Sequence, residues 1–136
     1  MQLNEELAKN SRFVTDLPLC EVRIQNEARF PWIILIPKRD NVAEIIDLSI
    51  EDQEQLLKEL RMASKVMQSA FNADKLNIGA LGNIVRQLHL HVIARYEADL
   101  AWPNPVWGYF ELSTQYASDA LSRRIALIKD AFDELA

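Results

Sequence analysis

A chain of 136 residues, 49% apolar and 26% charged, is sized and composed for one globular domain, expected to span residues 1–136 with a buried core. Its net charge of −5 withholds the basic footprint that a nucleic-acid polymer needs, but a local pocket can still take a small anion. Apolar runs such as 32–36 are too short to span a bilayer, no signal-peptide core precedes Glu5 and Glu6, and Cys20 is alone. These readings predict a cytoplasmic protein with no membrane association, no disulfide framework and no thiolate metal cluster.

In chain order, residues 3–10 read as a short helix. Cys20, Val22 and Ile24 alternate with Glu21, Arg23 and Gln25, the period-two pattern of a half-buried strand. Arg29-Phe30-Pro31 turns the chain into Trp32-Ile33-Ile34-Leu35-Ile36, closed by Pro37. The pair predicts a hairpin, and the unbroken apolarity of its second arm predicts a central strand covered on both faces. Ser49 ahead of Ile50-Glu51-Asp52 supplies a capping hydroxyl and acids near the positive end of a helix. Leu56, Leu60, Ala63, Met67, Ala70 and Phe71 continue that helix as one apolar stripe, ending near residues 72–74. Residues 75–81 read as a further strand, with Gly82-Asn83 as the turn that follows. A second long helix is predicted over 113–134, burying Tyr116, Ala120, Leu121, Ile125, Ile128 and Phe132. This order of elements predicts an α+β fold with a mostly antiparallel sheet and two main helices.

The segment Gln87-Leu88-His89-Leu90-His91-Val92 alternates polar and apolar residues and holds both histidines of the chain. As a strand it places Gln87, His89 and His91 on one face, neighbours roughly 6.7 Å apart, and the apolar residues on the other. Imidazole, with an unperturbed pKa near 6.5, is both a nucleophile and an acid–base group at neutral pH. Two rings on one face let one attack while the other stabilises charge or serves the leaving group. The same His-x-His pair also supplies two metal ligands, with Glu97 or Asp99 as a third, so a metal site stands as a second reading. Gly79 and Gly82, two of the three glycines, lie just upstream. Glycine there permits positive φ and close backbone approach, and the N–H groups of such a turn can cradle phosphate oxygens. Arg86 falls opposite the histidine face and Arg95 on it; both are expected to be solvated. Segment 101–108, with two tryptophans and two prolines, is expected to anchor a loop on the core, with pocket lining or a dimer contact as alternatives.

These residues resemble the signature of the histidine triad (HIT) family, His-φ-His-φ-His-φ-φ, with Gln87 in the first histidine position. The likeness extends to Asn77-x-Gly79 and Gly82-Asn83-Ile84-Val85, similar to the family's approach to the triad. It also takes in Ile24-Gln25-Asn26 and the strand ending at Pro37, so that residues 20–97 are covered. The resemblance implies a HIT-like α+β fold and a homodimer built through helix packing and sheet continuation. It implies an enzyme without cofactor or metal: a hydrolase or transferase cleaving a phosphoanhydride or phosphoramidate bond next to a nucleoside, as in a dinucleoside polyphosphate. The partner is then a nucleotide or dinucleotide. By position, the resemblance makes His89 the nucleophile that forms a nucleotidyl-histidine intermediate and His91 the contact to the reacting phosphate and leaving atom. It places Asn77, Gly82 and Asn83 near the phosphate and Asn26 on the ribose hydroxyls. Gln87 keeps a hydrogen-bonding group but loses the titration, and is expected among the substrate-binding residues.

Three departures stand out. Gln87 replaces the first histidine, Ile84 stands where a hydroxyl residue is common, and Trp32 appears near where many members carry another histidine. Gln87 and Trp32 are expected to have changed together. Two alternative functions follow: a nucleotide-binding protein with little turnover, in which Gln87 marks lost catalysis, and a His-x-His metal-binding enzyme.

Overall fold

The computed structural model describes residues 1–136 and begins with a short helix, α1 (Glu5–Asn10), capped by the Asn4 side chain on the N–H of Glu6. Strand β1 (Ser11–Asp16) follows at once, then β2 (Cys20–Gln25) and β3 (Trp32–Pro37). After a 3-10 turn at Ile45–Asp47 comes α2 (Ile50–Phe71), capped by the Ser49 hydroxyl on the N–H of Asp52 and ended by Asn72 at φ 49°. Strands β4 (Lys75–Gly79) and β5 (Leu90–Arg95) precede α3 (Ser118–Leu135). The strands make one sheet in the order β1-β2-β3-β5-β4, with every neighbouring pair antiparallel. The fold is α+β, as the element order predicts.

Alternation along the strands divides the sheet into two working faces. Val22, Ile24, Ile33, Leu35, Leu90 and Val92 turn toward α2 and α3, joining a cluster of 19 buried apolar residues that includes Leu56, Met67, Ile128 and Phe132. The opposite face carries Trp32, Ile34, Ile36 and Ile93, closed by Leu7 of α1, Phe30, Ala101 and Val106 in a cluster of eight. All six positions of β3 are buried, so its continuous apolarity reflects cover on both sides. The fully buried Glu59 ties α2 to the start of β2: its carboxylate accepts the N–H groups of Leu19 and Cys20, each at 2.8 Å, and the Gln55 amide at 2.7 Å.

Sequence pattern passes over β1, because its pairing with β2 shifts register between Phe13 and Thr15 and breaks the alternation. The second long helix begins at Ser118 rather than 113. Residues 114–116 bond to the β2–β3 connection instead: Ala28 N–H reaches the Thr114 carbonyl at 2.6 Å, Thr114 N–H the Glu27 carboxylate at 3.1 Å and Tyr116 N–H the Asn26 side chain at 2.9 Å. Tyr116 still packs against the larger cluster from outside the helix. Strand β4 stops at Gly79, and β5 starts only at Leu90, leaving Gln87, Leu88 and His89 ahead of it.

Candidate active site

His91 sits on β5 opposite Ile34 of β3 and Gly79 of β4. His89 precedes the strand, yet the two rings share a side, their centroids 4.9 Å apart. Their partners assign the ring protons. Nδ1 of His89 lies 2.7 Å from the Gln87 carbonyl, which can only accept, so Nδ1 carries the hydrogen and Nε2 keeps the lone pair. At His91 the logic inverts. The Trp32 indole N–H donates to Nδ1 at 2.9 Å, which leaves the hydrogen of the neutral ring on Nε2. Neither Nε2 has a protein partner, and both rings line one cleft. One histidine thus offers a lone pair and its neighbour an N–H donor. Burial, and then the nearby His89, push the His91 pKa down to about 3, so the neutral donor form persists across the neutral range.

The cleft has a volume of about 510 Å³, within the range of small-molecule sites. Gly82, at φ 67°, turns the chain so that it and Asn83 line the cleft beside the histidines. Gly79 serves differently. A Cβ at that position would come within 3.3 Å of the Trp107 ring, so the missing side chain makes room for the indole. Trp107 then packs at 5.5 Å from His91 and 6.5 Å from Trp32, centroid to centroid. Segment 101–108 is therefore a wall of the site through Val106, Trp107 and Gly108, as well as a core anchor. A further wall is Phe110, with the Arg29 guanidinium 3.6 Å from its ring centroid and held by Glu27 at 2.6 Å.

Of the residues expected at the site, His89, His91, Gly82 and Asn83 come together in the cleft, whereas Asn26, Asn77 and Gln87 do not line it. Asn26 spends its side-chain oxygen on the N–H of Tyr116. Its neighbour Gln25 lines the cleft instead, and the alternation of residues 20–25 held that signal. The side-chain oxygen of Asn77 accepts Nη1 of Arg95 at 2.7 Å. Gln87 turns its amide to the N-terminal segment, taking the N–H of Asn4 at 2.8 Å and giving a hydrogen to the Gln2 carbonyl at 3.3 Å. Gln87 and Trp32 hold separate partners and form no pair with each other.

Arg95 corrects a second expectation. It lies on the histidine face but is 1% exposed, not solvated. Asp99 meets its Nε at 2.8 Å and the Asn104 carbonyl its Nη2 at 2.9 Å, so the cation is neutralised inside the fold. Burial works to raise the Asp99 carboxyl, but Arg95 and the N–H groups of Tyr96, Ala101 and Trp102 outweigh it and hold the pKa at about 2. Asp99 is thereby engaged away from the histidine pair, Glu97 is exposed, and no three His, Cys, Asp or Glu side chains are grouped to hold a metal ion. The metal reading loses its third ligand. Arg86 is exposed, as expected.

A family model described as the HIT domain matches residues 6–98, well over half of the chain. The chain belongs to the HIT family. A histidine triad protein from Sinorhizobium meliloti 1021 is 40% identical to this HIT protein over 96% of both chains, with a TM-score of 0.93. One from Marinobacter aquaeolei VT8 is 39% identical over 99% of this chain and 98% of that one, at 0.95. A third, from Bradyrhizobium japonicum, is 37% identical over 96% and 97%, at 0.93. No curated protein matches. Membership supports nucleotide binding, since HIT proteins take nucleotides as small-molecule ligands. No helix of this HIT protein is long and apolar enough to cross a membrane.

Proposed function

We propose that this HIT protein is a hydrolase or transferase that cleaves a phosphoanhydride or phosphoramidate bond next to a nucleoside, through a nucleotidyl intermediate on His89. The opposed tautomers of His89 and His91 carry this reading. Nε2 of His89 attacks the α-phosphorus in line. A phosphorus–nitrogen bond forms as the bond to the leaving atom breaks, its electron pair departing with the leaving group. The ring gains positive charge in this step, and the Nδ1–H bond to the Gln87 carbonyl strengthens accordingly. His91 directs its Nε2–H at a phosphoryl or bridging oxygen, and Gly82 and Asn83 offer further donors to the spreading negative charge. Water then attacks the phosphorus, the nitrogen recovers its pair, and the proton of that water passes to solvent.

A polyphosphate leaves as an anion and requires no proton, whereas an amine does. The neutral His91 is a hydrogen-bond donor rather than a strong acid, which favours dinucleoside polyphosphates among the candidate substrates. Gln25, lining the cleft where Asn26 does not, takes over the proposed contact to the ribose hydroxyls. The free amide hydrogens of Asn77 stay available on the histidine face. We read the protein as a homodimer, because β4 is an edge strand with Ile78 exposed and Leu81 and Ile84 exposed beyond it. A free, buried Cys20 suits a reducing compartment such as the cytoplasm.

Rapid quench with a labelled diadenosine polyphosphate tests the mechanism. The expected result is an acid-labile adduct on His89, loss of turnover in His89→Ala and insensitivity to chelators. Turnover surviving in His89→Ala without any adduct would sink the covalent route, and nucleotide binding without turnover would leave a binding protein.

A further inference from the structure

Both ends of Gln87 are engaged. Its main-chain carbonyl holds the hydrogen on Nδ1 of His89, and with it the lone pair on Nε2. Its side chain makes a two-point contact with the N-terminal segment: Oε1 accepts the N–H of Asn4, and Nε2 donates to the carbonyl of Gln2. A primary amide presents an acceptor and a donor side by side, which suits main-chain groups two residues apart. An imidazole also carries two nitrogens on one carbon, but their bonding directions splay apart, so it does not match a pair of groups met side by side.

The segment so held leads directly into α1. That helix has six residues, too few to be stable by itself in water. Yet Glu6, Leu7 and Asn10 of α1 line the cleft that holds the histidines. The far end of α1 is fixed by Arg23, which reaches the Ser11 hydroxyl at 2.7 Å and the Ser11 carbonyl at 3.1 Å. The near end is held by Gln87, together with the Met1 ammonium 3.3 Å from Asp40 and Leu3 packed against the smaller cluster.

We infer that Gln87 is a positioning residue that latches residues 2–4, so that α1 closes the nucleotide cleft while the same residue orients the nucleophile. The inference rests on the functional reading above only for the identity of the ligand. It assigns the glutamine at this motif position to cleft assembly and not to substrate contact or to lost catalysis. Nucleotide binding and the order of the N-terminal segment are then coupled, and the coupling is reciprocal.

Hydrogen exchange on the full chain tests this, with and without adenosine monophosphate as probe, alongside steady-state kinetics on a diadenosine polyphosphate. In the wild type, the probe slows exchange of the peptide covering residues 2–10. Gln87→Met keeps the side chain's length but not its hydrogen bonds. It is expected to speed that exchange and raise KM and the probe's Kd, each on the order of tenfold, while kcat shifts less than about twofold because the carbonyl that serves His89 remains. Gln87→Glu retains the acceptor for Asn4 but sets a carboxylate oxygen against the Gln2 carbonyl, so it recovers only part of the loss. Unchanged exchange of β3 amides shows that the rest of the fold is intact. Lower kcat in Gln87→Met with KM and residue 2–10 exchange unmoved would overturn the latch, as would no change in any of the three. Should the wild type bind no nucleotide, the functional reading falls, while faster exchange in Gln87→Met alone still supports the latch.

Discussion

The indole N–H of Trp32 stands 2.9 Å from Nδ1 of His91, and this one bond decides which nitrogen of His91 faces a substrate. Trp32→Phe keeps an aromatic ring but deletes the donor, so His91 is free to carry its hydrogen on either nitrogen. Nitrogen-15 spectra of the imidazole should show a smaller Nε2–H population. Turnover should fall by about tenfold, the loss expected for one hydrogen bond made in the reaction. Unaltered turnover beside a changed tautomer would show that the Nε2–H donor has no part in the chemistry.

Acid should destabilise the fold in two stages. The pKa of His91 is about 3 in the folded chain, against an ordinary 6.5, so between those values the unfolded chain binds a proton that the folded chain does not. Stability is therefore full above 6.5 and declines as pH falls toward 3. Asp99, held at about 2 against 3.8, adds a decline between 3.8 and 2. Urea midpoints measured from pH 7 to 4 should fall less in His91→Gln than in the wild type. Parallel curves over that range would exonerate His91.

Arg95→Met removes one partner of a buried ion pair and leaves Asp99 with only its backbone donors. A loss of about 3–5 kcal/mol is expected from equilibrium unfolding. Asn77 and the Asn104 carbonyl lose their donor as well, which loosens the loop carrying Trp107. Tryptophan fluorescence should become more accessible to a neutral quencher. A fully stable variant would mean that the pair is compensated by packing.

Glu59→Gln tests the other side of the sheet. One carboxylate oxygen becomes an N–H₂ group facing a main-chain N–H, either that of Leu19 or that of Cys20. Two donors then oppose each other in a fully buried place, at a loss of about 1–3 kcal/mol in thermal or urea melts. Because Glu59 lies away from the cleft, KM should not change. A shift in KM without loss of stability would contradict this division of the molecule.

Much of this was legible from residue order alone. The hairpin through residues 20–37 and the capped helix beginning after Ser49 follow from local pattern, and His89 and His91 share a side as their spacing predicts although only His91 lies in β5. What stayed hidden depends on long-range partners. Arg95 at a strand end has the look of a solvated cation until Asp99, four residues on, folds back against it. The stretch 113–117 has residues a helix can use, but Glu27, Ala28 and Asn26 bind its backbone first. Nothing in the letters places Gln2 and Asn4 beside Gln87, more than eighty positions away.

The two unequal clusters on either side of the sheet bear on how such a protein can change. Trp32, His91 and the loop around Trp107 belong to the face with eight buried apolar residues, while the cluster of 19 lies under the helices. A substitution in the cleft disturbs only the smaller set, so new pocket shapes are reachable without rearranging the layer that holds the chain folded. For directed evolution of substrate range, a library over Gln25 and Phe110, which line the cleft and are only partly buried, would sample the pocket at low structural risk, leaving Trp32 and the helix-facing residues fixed.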